Sequence, residues 1–179
     1  HGWDFCNGDS NPMDDHSHGT HCSGTIAGVG NNGIGVAGVN WTSELVALKF
    51  LGATGSGALT DAMDAIRYAT DMGCKITSNS WGGGSYNQAL ADAITYAQNR
   101  GCLFIAAAGN SAFDNDVAMS YPSSFPNDNI IAVLALDCND QIAWWSNFGR
   151  NTVDIGAPGV SILSSVIDDS YALFSGTSM

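Results

Sequence analysis

Basic side chains are scarce in this sequence, and those present are scattered. Five Lys and Arg residues stand against 17 Asp and Glu residues, which gives a formal net charge of −12. Because no Lys/Arg cluster occurs, nucleic acids and anionic membrane surfaces are disfavoured as partners. No apolar run is long enough to span a bilayer. An acidic balance usually serves solubility, but it also provides carboxylates suited to a hard cation such as calcium.

Patterns typical of zinc sites are also missing or incomplete. The five cysteines form no C-x-x-C pair, which disfavours a structural zinc site and leaves one disulfide or five thiols as alternatives. Three histidines fall within DDHSHGTHCSG at residues 14–24, but none follows His21. A zinc motif of the H-x-H-x-D-H type needs Asp where Thr20 stands, and further histidines downstream. The alternative is that one of these histidines is a general base.

The composition and periodicity predict a single α/β domain. Hydrophobic residues make up 45% of the 179 residues and charged residues 12%, as in globular proteins. Helical periodicity and end signals predict helices at 18–29, 59–73 and 85–101. Apolar runs predict strands at 44–50, 74–80, 102–109 and 129–136, the last two buried on both faces. This alternation predicts three α/β/α layers around a mainly parallel sheet, with residues 1–17 as an irregular loop.

Two further phrases supply partners for a histidine base. AAAGNS at residues 106–111 ends an apolar strand on Gly109 and Asn110, whose amide would point over the sheet edge. SGTSM at residues 175–179 resembles the start of a helix, where the N–H of Ser178 would lack an internal partner and negative charge is favoured. A base, a serine and an amide donor on three strand-end loops predict acyl transfer.

Five phrases in order resemble the subtilisin-like serine proteases (subtilases, peptidase S8): HGTHCSGTIAG, SNSWGGG, AAAGN, DIGAPG and FSGTSM. They cover essentially the whole chain and are similar to thermitase-like bacterial enzymes and to subtilases of some protists. The resemblance implies a subtilisin-like fold and a secreted serine endopeptidase. It assigns His18 as the general base, Ser178 as the nucleophile and Asn110 as an oxyanion donor, which are the roles that the matching groups have in subtilisin. His21 is then expected to pack in the core and His16 to lie at the surface.

One catalytic group of the family is not found. The triad Asp of subtilases lies upstream of the histidine in a strand-end phrase such as DTGV, which is absent here. We expect this Asp to precede His1 and the helix of the nucleophile to follow Met179. Residues 1–179 would then be part of a catalytic domain that is incomplete at both ends. Because loss of the triad Asp lowers turnover by about 10⁴-fold, this piece alone is expected to be nearly inactive.

The resemblance also marks segments that would hold an extended peptide substrate as an added strand. These are Gly55-Ser56-Gly57 and Ser80-Trp81-Gly82. A hydrophobic pocket for a residue before the cleaved bond is implied at Leu51, Leu59, Ala62 and Trp81. The primary specificity pocket is implied at Ala106, Ala107 and Gly109. Core packing is the alternative for these apolar residues.

Two loops resemble calcium sites of the family, with the flexible oxygen donors that calcium accepts. WDFCNGDSNPM resembles a thermitase-type loop, with ligands at Asp4, Asp9 and Asn11. VGNNGIGV resembles a stronger site, with the Asn32 side chain and the carbonyls of Val29, Ile34 and Val36. A solvated polar loop is the alternative for both, and no organic cofactor is implied.

The residues described above leave three functions as alternatives. The first is a secreted, monomeric endopeptidase that acts on polypeptides and is held by an inhibitory propeptide. The second is a catalytically inactive, subtilase-like binding module, and the third is a zinc-dependent hydrolase. The resemblance further implies a cis bond at Tyr121-Pro122.

Overall fold

The computed structural model describes residues 2–179. In chain order its elements are β1 (Gly2–Asp4), α1 (His18–Ala27), β2 (Ala47–Lys49), α2 (Leu59–Asp71), β3 (Ile76–Asn79), α3 (Gln88–Gln98), β4 (Leu103–Ala107), β5 (Ile130–Leu136), β6 (Ile155–Pro158), β7 (Ile162–Val166) and β8 (Ser170–Phe174). The three predicted helices and four predicted strands are present, with shorter bounds. The prediction of an irregular segment at residues 1–17 is wrong for β1, which pairs in parallel with β2. No sequence pattern had indicated β6, β7 or β8.

Contacts divide the chain into two compact units. The first comprises the residues up to Ala65 together with Ser161–Phe174, and the second comprises Ile66–Val160 together with Ser175–Met179. The first unit contains α1, the β1-β2 pair and an antiparallel hairpin of β7 and β8. In this unit α1 packs against β7. The chain passes from one unit to the other within α2.

The second unit is built on a four-stranded sheet that is parallel throughout. Its strand order is β3-β4-β5-β6, which is also the order in the chain. The connection from β3 to β4 runs through α3, which packs against β4. α3 begins where the Asn87 side chain accepts a hydrogen bond from the Leu90 N–H at 3.0 Å. The prediction of an α/β protein with a mainly parallel sheet is confirmed.

Burial of the central strands differs from the expectation. In β4, Phe104 and Ala106 are fully buried, whereas Leu103 is 40% exposed and Ile105 is half-buried. Alternate side chains of a strand point to opposite faces, so residues 2–179 cover one face of β4 completely and the other only in part. The prediction of a strand buried on both faces is therefore wrong for β4. No helix within residues 2–179 has the length and apolar character needed to cross a bilayer.

Candidate active site

The carboxyl ends of β3 and β4 bring two predicted segments to one edge of the sheet. Asn79, the last residue of β3, pairs in register with Ala106 near the end of β4. Ser80-Trp81-Gly82 and Ala108-Gly109-Asn110 therefore leave the sheet at the same edge. In parallel α/β sheets this edge is where ligands bind.

The segment Ser175–Met179 returns to this edge beside the end of β6. The N–H of Gly176 donates to the carbonyl of Gly159, the residue after β6, at 2.9 Å. A Cβ on Gly159 would lie 2.7 Å from the Gly176 oxygen and 2.6 Å from the Ala135 Cβ, so this approach requires glycine. Residues 177 and 178 form a turn, closed by a 3.3 Å bond from the Met179 N–H to the Gly176 carbonyl.

Thr177 fixes the orientation of the Asn110 side chain. The Asn110 Oδ1 accepts hydrogen bonds from the Thr177 N–H at 2.9 Å and from the Thr177 hydroxyl at 3.0 Å. The Thr177 Oγ1 in turn accepts from the N–H of Gly109 at 3.2 Å. Because these bonds use Oδ1, the Nδ2 of the exposed Asn110 side chain is the group that can donate to a ligand, and it lies 3.7 Å from the position that a Cβ on Gly176 would take. This role of Thr177 was not predicted from the sequence, although Thr177 lies within the phrase FSGTSM.

Ser178 is linked directly to one of the predicted substrate-binding segments. Its hydroxyl donates to the Ser80 carbonyl at 3.4 Å, and the Ser80 hydroxyl donates to the Ser178 carbonyl at 3.0 Å. Ser178 is half-exposed. The structure therefore places the predicted nucleophile, the predicted oxyanion donor and the Ser80 segment together within the second unit.

Packing holds the remaining residues of this edge. The Trp81 indole N–H donates to the Asn79 Oδ1 at 3.2 Å, and the ring packs edge-on against Phe104, with centroids 6.5 Å apart. Ala107 is half-buried, whereas Ala106 is 1% exposed and contributes to the core. The Tyr121-Pro122 bond is cis, as predicted.

His18 is the first residue of α1, in the first unit. Burial, together with the nearby His16, lowers the pKa of its imidazole below the usual 6.5. The ring is therefore neutral near pH 7, the state that a general base requires. Its Nε2 lies 3.9 Å from the Cys22 Sγ. No carboxylate among residues 2–179 makes a hydrogen bond to the His18 ring, and none of the five cysteines forms a disulfide there.

Asp14 holds the end of α1 that carries His18. Its Oδ2 accepts hydrogen bonds from the Thr20 N–H at 2.8 Å and the Thr20 hydroxyl at 2.7 Å. Its Oδ1 accepts from the N–H groups of His16 and Ser17. Although burial raises it, these hydrogen bonds hold the pKa of Asp14 below its ordinary value. Asp14 thus serves as the cap of a helix whose N-cap residue, Ser17, makes no side-chain cap bond.

The other two histidines have environments that differ from that of His18. His21 is fully buried, donates from Nε2 to the Ile162 carbonyl at 3.0 Å and stacks on Phe174, with centroids 4.4 Å apart. His16 is exposed, and its Nε2 lies 3.4 Å from the position that a Cβ on Gly55 would take. Both predicted locations are confirmed. Across residues 2–179, no group of three His, Cys, Asp or Glu side chains is arranged to hold a metal.

The substrate-binding residues predicted in the first unit lie in a tight turn and a helix start. Gly55 has a φ of 73°, which favours glycine, and a Cβ on Gly57 would collide with the Phe50 carbonyl. Leu51 is half-buried and Leu59 is 37% exposed. Ala62 is 1% exposed and therefore packs in the core, which was the alternative to a role in the hydrophobic substrate pocket.

The first predicted calcium loop has its buried carboxylate paired with a cation of the protein itself, the Lys49 ammonium. Asp4 is 1% exposed, and its Oδ2 lies 3.3 Å from the Lys49 ammonium and accepts from the Asn7 amide at 3.0 Å. Burial raises the pKa of Asp4, but the bonds from Asn7 and Lys49 hold it below its ordinary value. The Asp9 carboxylate accepts from the Asn11 N–H in an exposed turn. This donor set fits calcium poorly, because an ammonium already neutralises its buried carboxylate.

The second predicted loop, residues 29–36, contains no charged side chain. Left-handed φ angles at Asn31, Gly33 and Gly35 fold it into successive turns. The Asn32 Oδ1 accepts from the Ile34 N–H at 3.0 Å, and the loop is largely exposed. Its donors are amide and carbonyl oxygens, which suit calcium, so this loop fits the ion better than the first.

Comparisons with known proteins agree with this arrangement. A sequence profile of the subtilase family (peptidase S8) matches residues 1–179. The chain is 42% identical over 178 residues to thermitase of Thermoactinomyces vulgaris and 41% identical over 178 residues to a thermophilic serine proteinase of Bacillus sp. (strain AK1). A crystal structure of a cold adapted subtilisin-like serine proteinase superposes with a TM-score of 0.88 at 31% identity.

The matches cover 99% of this chain in all three cases. They cover 62% of thermitase, 43% of the Bacillus proteinase and 61% of the cold adapted proteinase. The chain therefore spans less than two thirds of the length of each of these relatives.

Proposed function

This chain belongs to the subtilase family, and we propose that it carries the base, the nucleophile and an oxyanion donor of a serine endopeptidase. The observation that carries the proposal is the orientation of Asn110. Thr177 holds its Oδ1, and its Nδ2 lies 3.7 Å from the position that a Cβ on Gly176 would take, two residues before Ser178. A donor fixed before the reaction stabilises developing negative charge without reorganisation.

The proposed reaction forms an acyl-enzyme. The Ser178 Oγ attacks the carbonyl carbon of the scissile bond while His18 takes the hydroxyl proton. The oxyanion of the tetrahedral intermediate is held by the Asn110 amide and the backbone N–H of Ser178. His18 then protonates the leaving amine, and water, activated by the same histidine, releases the acid.

The partner of the His18 ring is proposed to be a carboxylate other than the nearby aspartates. Asp14 uses both oxygens to hold the start of α1, and Asp4 is bound to Lys49. An additional Asp is thus needed to complete the triad, and the piece described by this sequence is proposed to be nearly inactive by itself.

Polypeptides are the proposed substrates, bound as an added strand between Gly55-Ser56-Gly57 and Ser80-Trp81-Gly82. The support in the second segment is the pair of bonds that joins Ser80 to Ser178. Trp81, Leu51 and Leu59 are proposed to contact a side chain before the cleaved bond, and Ala107 and Gly109 the side chain at it. From the family we further propose secretion, a monomeric mature form and an inhibitory propeptide.

Structural calcium is proposed at residues 29–36, whose uncharged oxygen donors suit the ion, with the Asp4 loop as the weaker candidate. Calcium added to the chelator-treated, full-length protein should raise its Tm, and zinc should not. Asn32→Ala should abolish that rise, whereas Asp9→Asn should leave most of it. A calcium-dependent rise that survives Asn32→Ala would place the ion elsewhere.

The proposed activity is tested by labelling the full-length protein with a fluorophosphonate, which reacts with activated serines. Peptide mapping should find one adduct, on Ser178, and none in Ser178→Ala. Ser175→Ala is the matched control and should label normally. A folded protein without an adduct would favour the inactive binding module, and chelator-sensitive activity restored by zinc but not calcium would favour the zinc hydrolase.

A further inference from the structure

Two asparagines are buried beneath the segment that carries Asn110. Asn115 is fully buried and Asn147 is 3% exposed. Their amides bond to each other, with the Asn147 Nδ2 donating to the Asn115 Oδ1 at 3.0 Å. Both residues lie in the second unit, and no step of the proposed reaction uses either of them.

The hydrogen bonds that this asparagine pair makes to other residues join it to the backbone on both sides of Asn110. The Asn115 Nδ2 donates to the carbonyl of Ala108 at 2.9 Å. The Asn147 Oδ1 accepts from the N–H groups of Ser111 at 2.8 Å and Phe113 at 3.2 Å. Backbone groups on both sides of Asn110 are therefore held by two buried side chains.

This segment needs such support because it belongs to no helix or strand. Gly109 has a φ of 114° and Ala112 a φ of 57°, conformations that are rare outside glycine. A Cβ on Gly109 would lie 2.5 Å from the Asn147 Nδ2, so the backbone rests directly on this amide. The backbone N–H of Asn147 also donates to the Gly109 carbonyl at 2.8 Å.

We propose that Asn115 and Asn147 are positioning residues that hold the Asn110 amide where the oxyanion forms. Thr177 sets the rotation of the Asn110 side chain, while the asparagine pair sets the backbone from which that side chain extends. Buried amides whose oxygen and nitrogen atoms both have hydrogen-bond partners are rigid and directional, which suits them to hold a loop within a fraction of an ångström. The inference rests on the proposed endopeptidase function.

The test is a double-mutant cycle on kcat in the full-length protein. Asn147→Ala should lower kcat by about 10- to 100-fold, the effect of displacing a catalytic group by about 1 Å, with KM nearly unchanged. In an Asn110→Ala background the same substitution should lower kcat by less than about 2-fold, because the donor that it positions is already gone. Asn115→Ala should behave in the same way.

The matched control is Asn129→Ala. Asn129 is also buried and its amide donates to a backbone carbonyl, that of Cys102, at 2.9 Å, but it contacts the amino end of β4, whereas the Asn110 segment follows the carboxyl end of that strand. This variant should lose thermal stability and keep kcat within about 2-fold. If Asn147→Ala fails to fold, Asn115→Ala provides the second cycle, because it removes the bond to the Ala108 carbonyl and leaves the Asn147 Oδ1 to accept from Ser111 and Phe113.

The outcomes separate the inference from the proposed function. If the unmodified protein neither hydrolyses peptides nor labels at Ser178, the proposed function fails. If it is active and Asn110→Ala is impaired, but Asn147→Ala keeps kcat or lowers it equally in both backgrounds, the positioning role alone is overturned. Non-additive losses confined to kcat would support it, since a purely structural residue would lower Tm in both backgrounds without this coupling.

Discussion

The oxyanion side of the proposed active site, in the second unit, and its base side, in the first unit, differ in how their residues are held. On the oxyanion side, Asn110 is fixed by Thr177, and Ser178 is tied to Ser80 by two hydrogen bonds. On the base side, Asp14 anchors the start of α1, but among residues 2–179 no carboxylate is hydrogen-bonded to the His18 ring. The oxyanion side is therefore preorganised by its own residues, whereas the base side still needs a group to orient and stabilise the imidazolium.

The two sides are held by different kinds of interaction. Asn110 follows β4 and Ser80 follows β3, so the register of these two parallel strands places both at one edge of the sheet. Hydrogen bonds to Ser80 and from Thr177 to Asn110 hold the proposed nucleophile segment at the same edge. The base lies at a helix start that is positioned by local hydrogen bonds. Substitutions on the two sides should therefore fail in different ways.

The largest effect should come from the two groups that make and break bonds. In the full-length protein, Ser178→Ala or His18→Ala should lower kcat by about 10⁶-fold, a magnitude measured in subtilisin itself. His16→Ala is the control, since His16 is exposed and lies two residues before the base. Its kcat should stay within a few-fold of the unmodified value in a peptide-hydrolysis assay. Equal losses in His16→Ala and His18→Ala would contradict the assignment of the base.

A smaller loss should follow removal of the oxyanion donor. Asn110→Ala should lower kcat by about 10²- to 10³-fold with little change in KM, because the donor binds charge that exists only in the transition state. Asn99→Ala removes an exposed amide at the end of α3 and should leave both constants unchanged. A rise in KM at constant kcat would instead indicate a role in ground-state binding.

The smallest effect should come from the anchor of the base side. Asp14→Ala should lower the free energy of unfolding by about 1 kcal/mol at pH 7, the usual contribution of a helix cap, and should lower kcat far less than Asn110→Ala. Because the pKa of Asp14 is lower in the folded protein, its stabilisation is complete above the ordinary value of 3.8. It is lost as pH falls through the lower folded pKa.

Urea unfolding at several pH values checks the Asp14 prediction. The difference between Asp14→Ala and the unmodified protein should be constant from pH 7 to about pH 5 and should shrink below pH 3.8. Asp64→Ala, at an exposed position in α2, should show no such difference. A difference that grows on acidification would show that Asp14 does not act as an anionic cap.

Short-range patterns in the sequence predicted the three helices and strands β2 to β5. They did not predict the residues that support Asn110, and the structure shows why. The helices at 18–29 and 85–101 follow from apolar spacing, which is a local property of the chain. Thr177, by contrast, meets Asn110 across 67 positions, and Asn147 meets Ser111 across 36. Such contacts depend on which strand ends lie at the same sheet edge, and no local pattern contains that information. β1 was not predicted for a related reason: its three residues form a strand only because they pair with β2.

The most direct test of the preorganised oxyanion side is a crystal structure of the full-length protein inactivated with a peptidyl phosphonate, a mimic of the tetrahedral intermediate. We expect a bond from the Ser178 Oγ to phosphorus, with a phosphonyl oxygen within hydrogen-bond distance of both the Asn110 Nδ2 and the Ser178 N–H. We also expect the Asn110 Oδ1 to keep its bonds to Thr177. A phosphonyl oxygen directed away from Asn110, or an adduct on another residue, would contradict it.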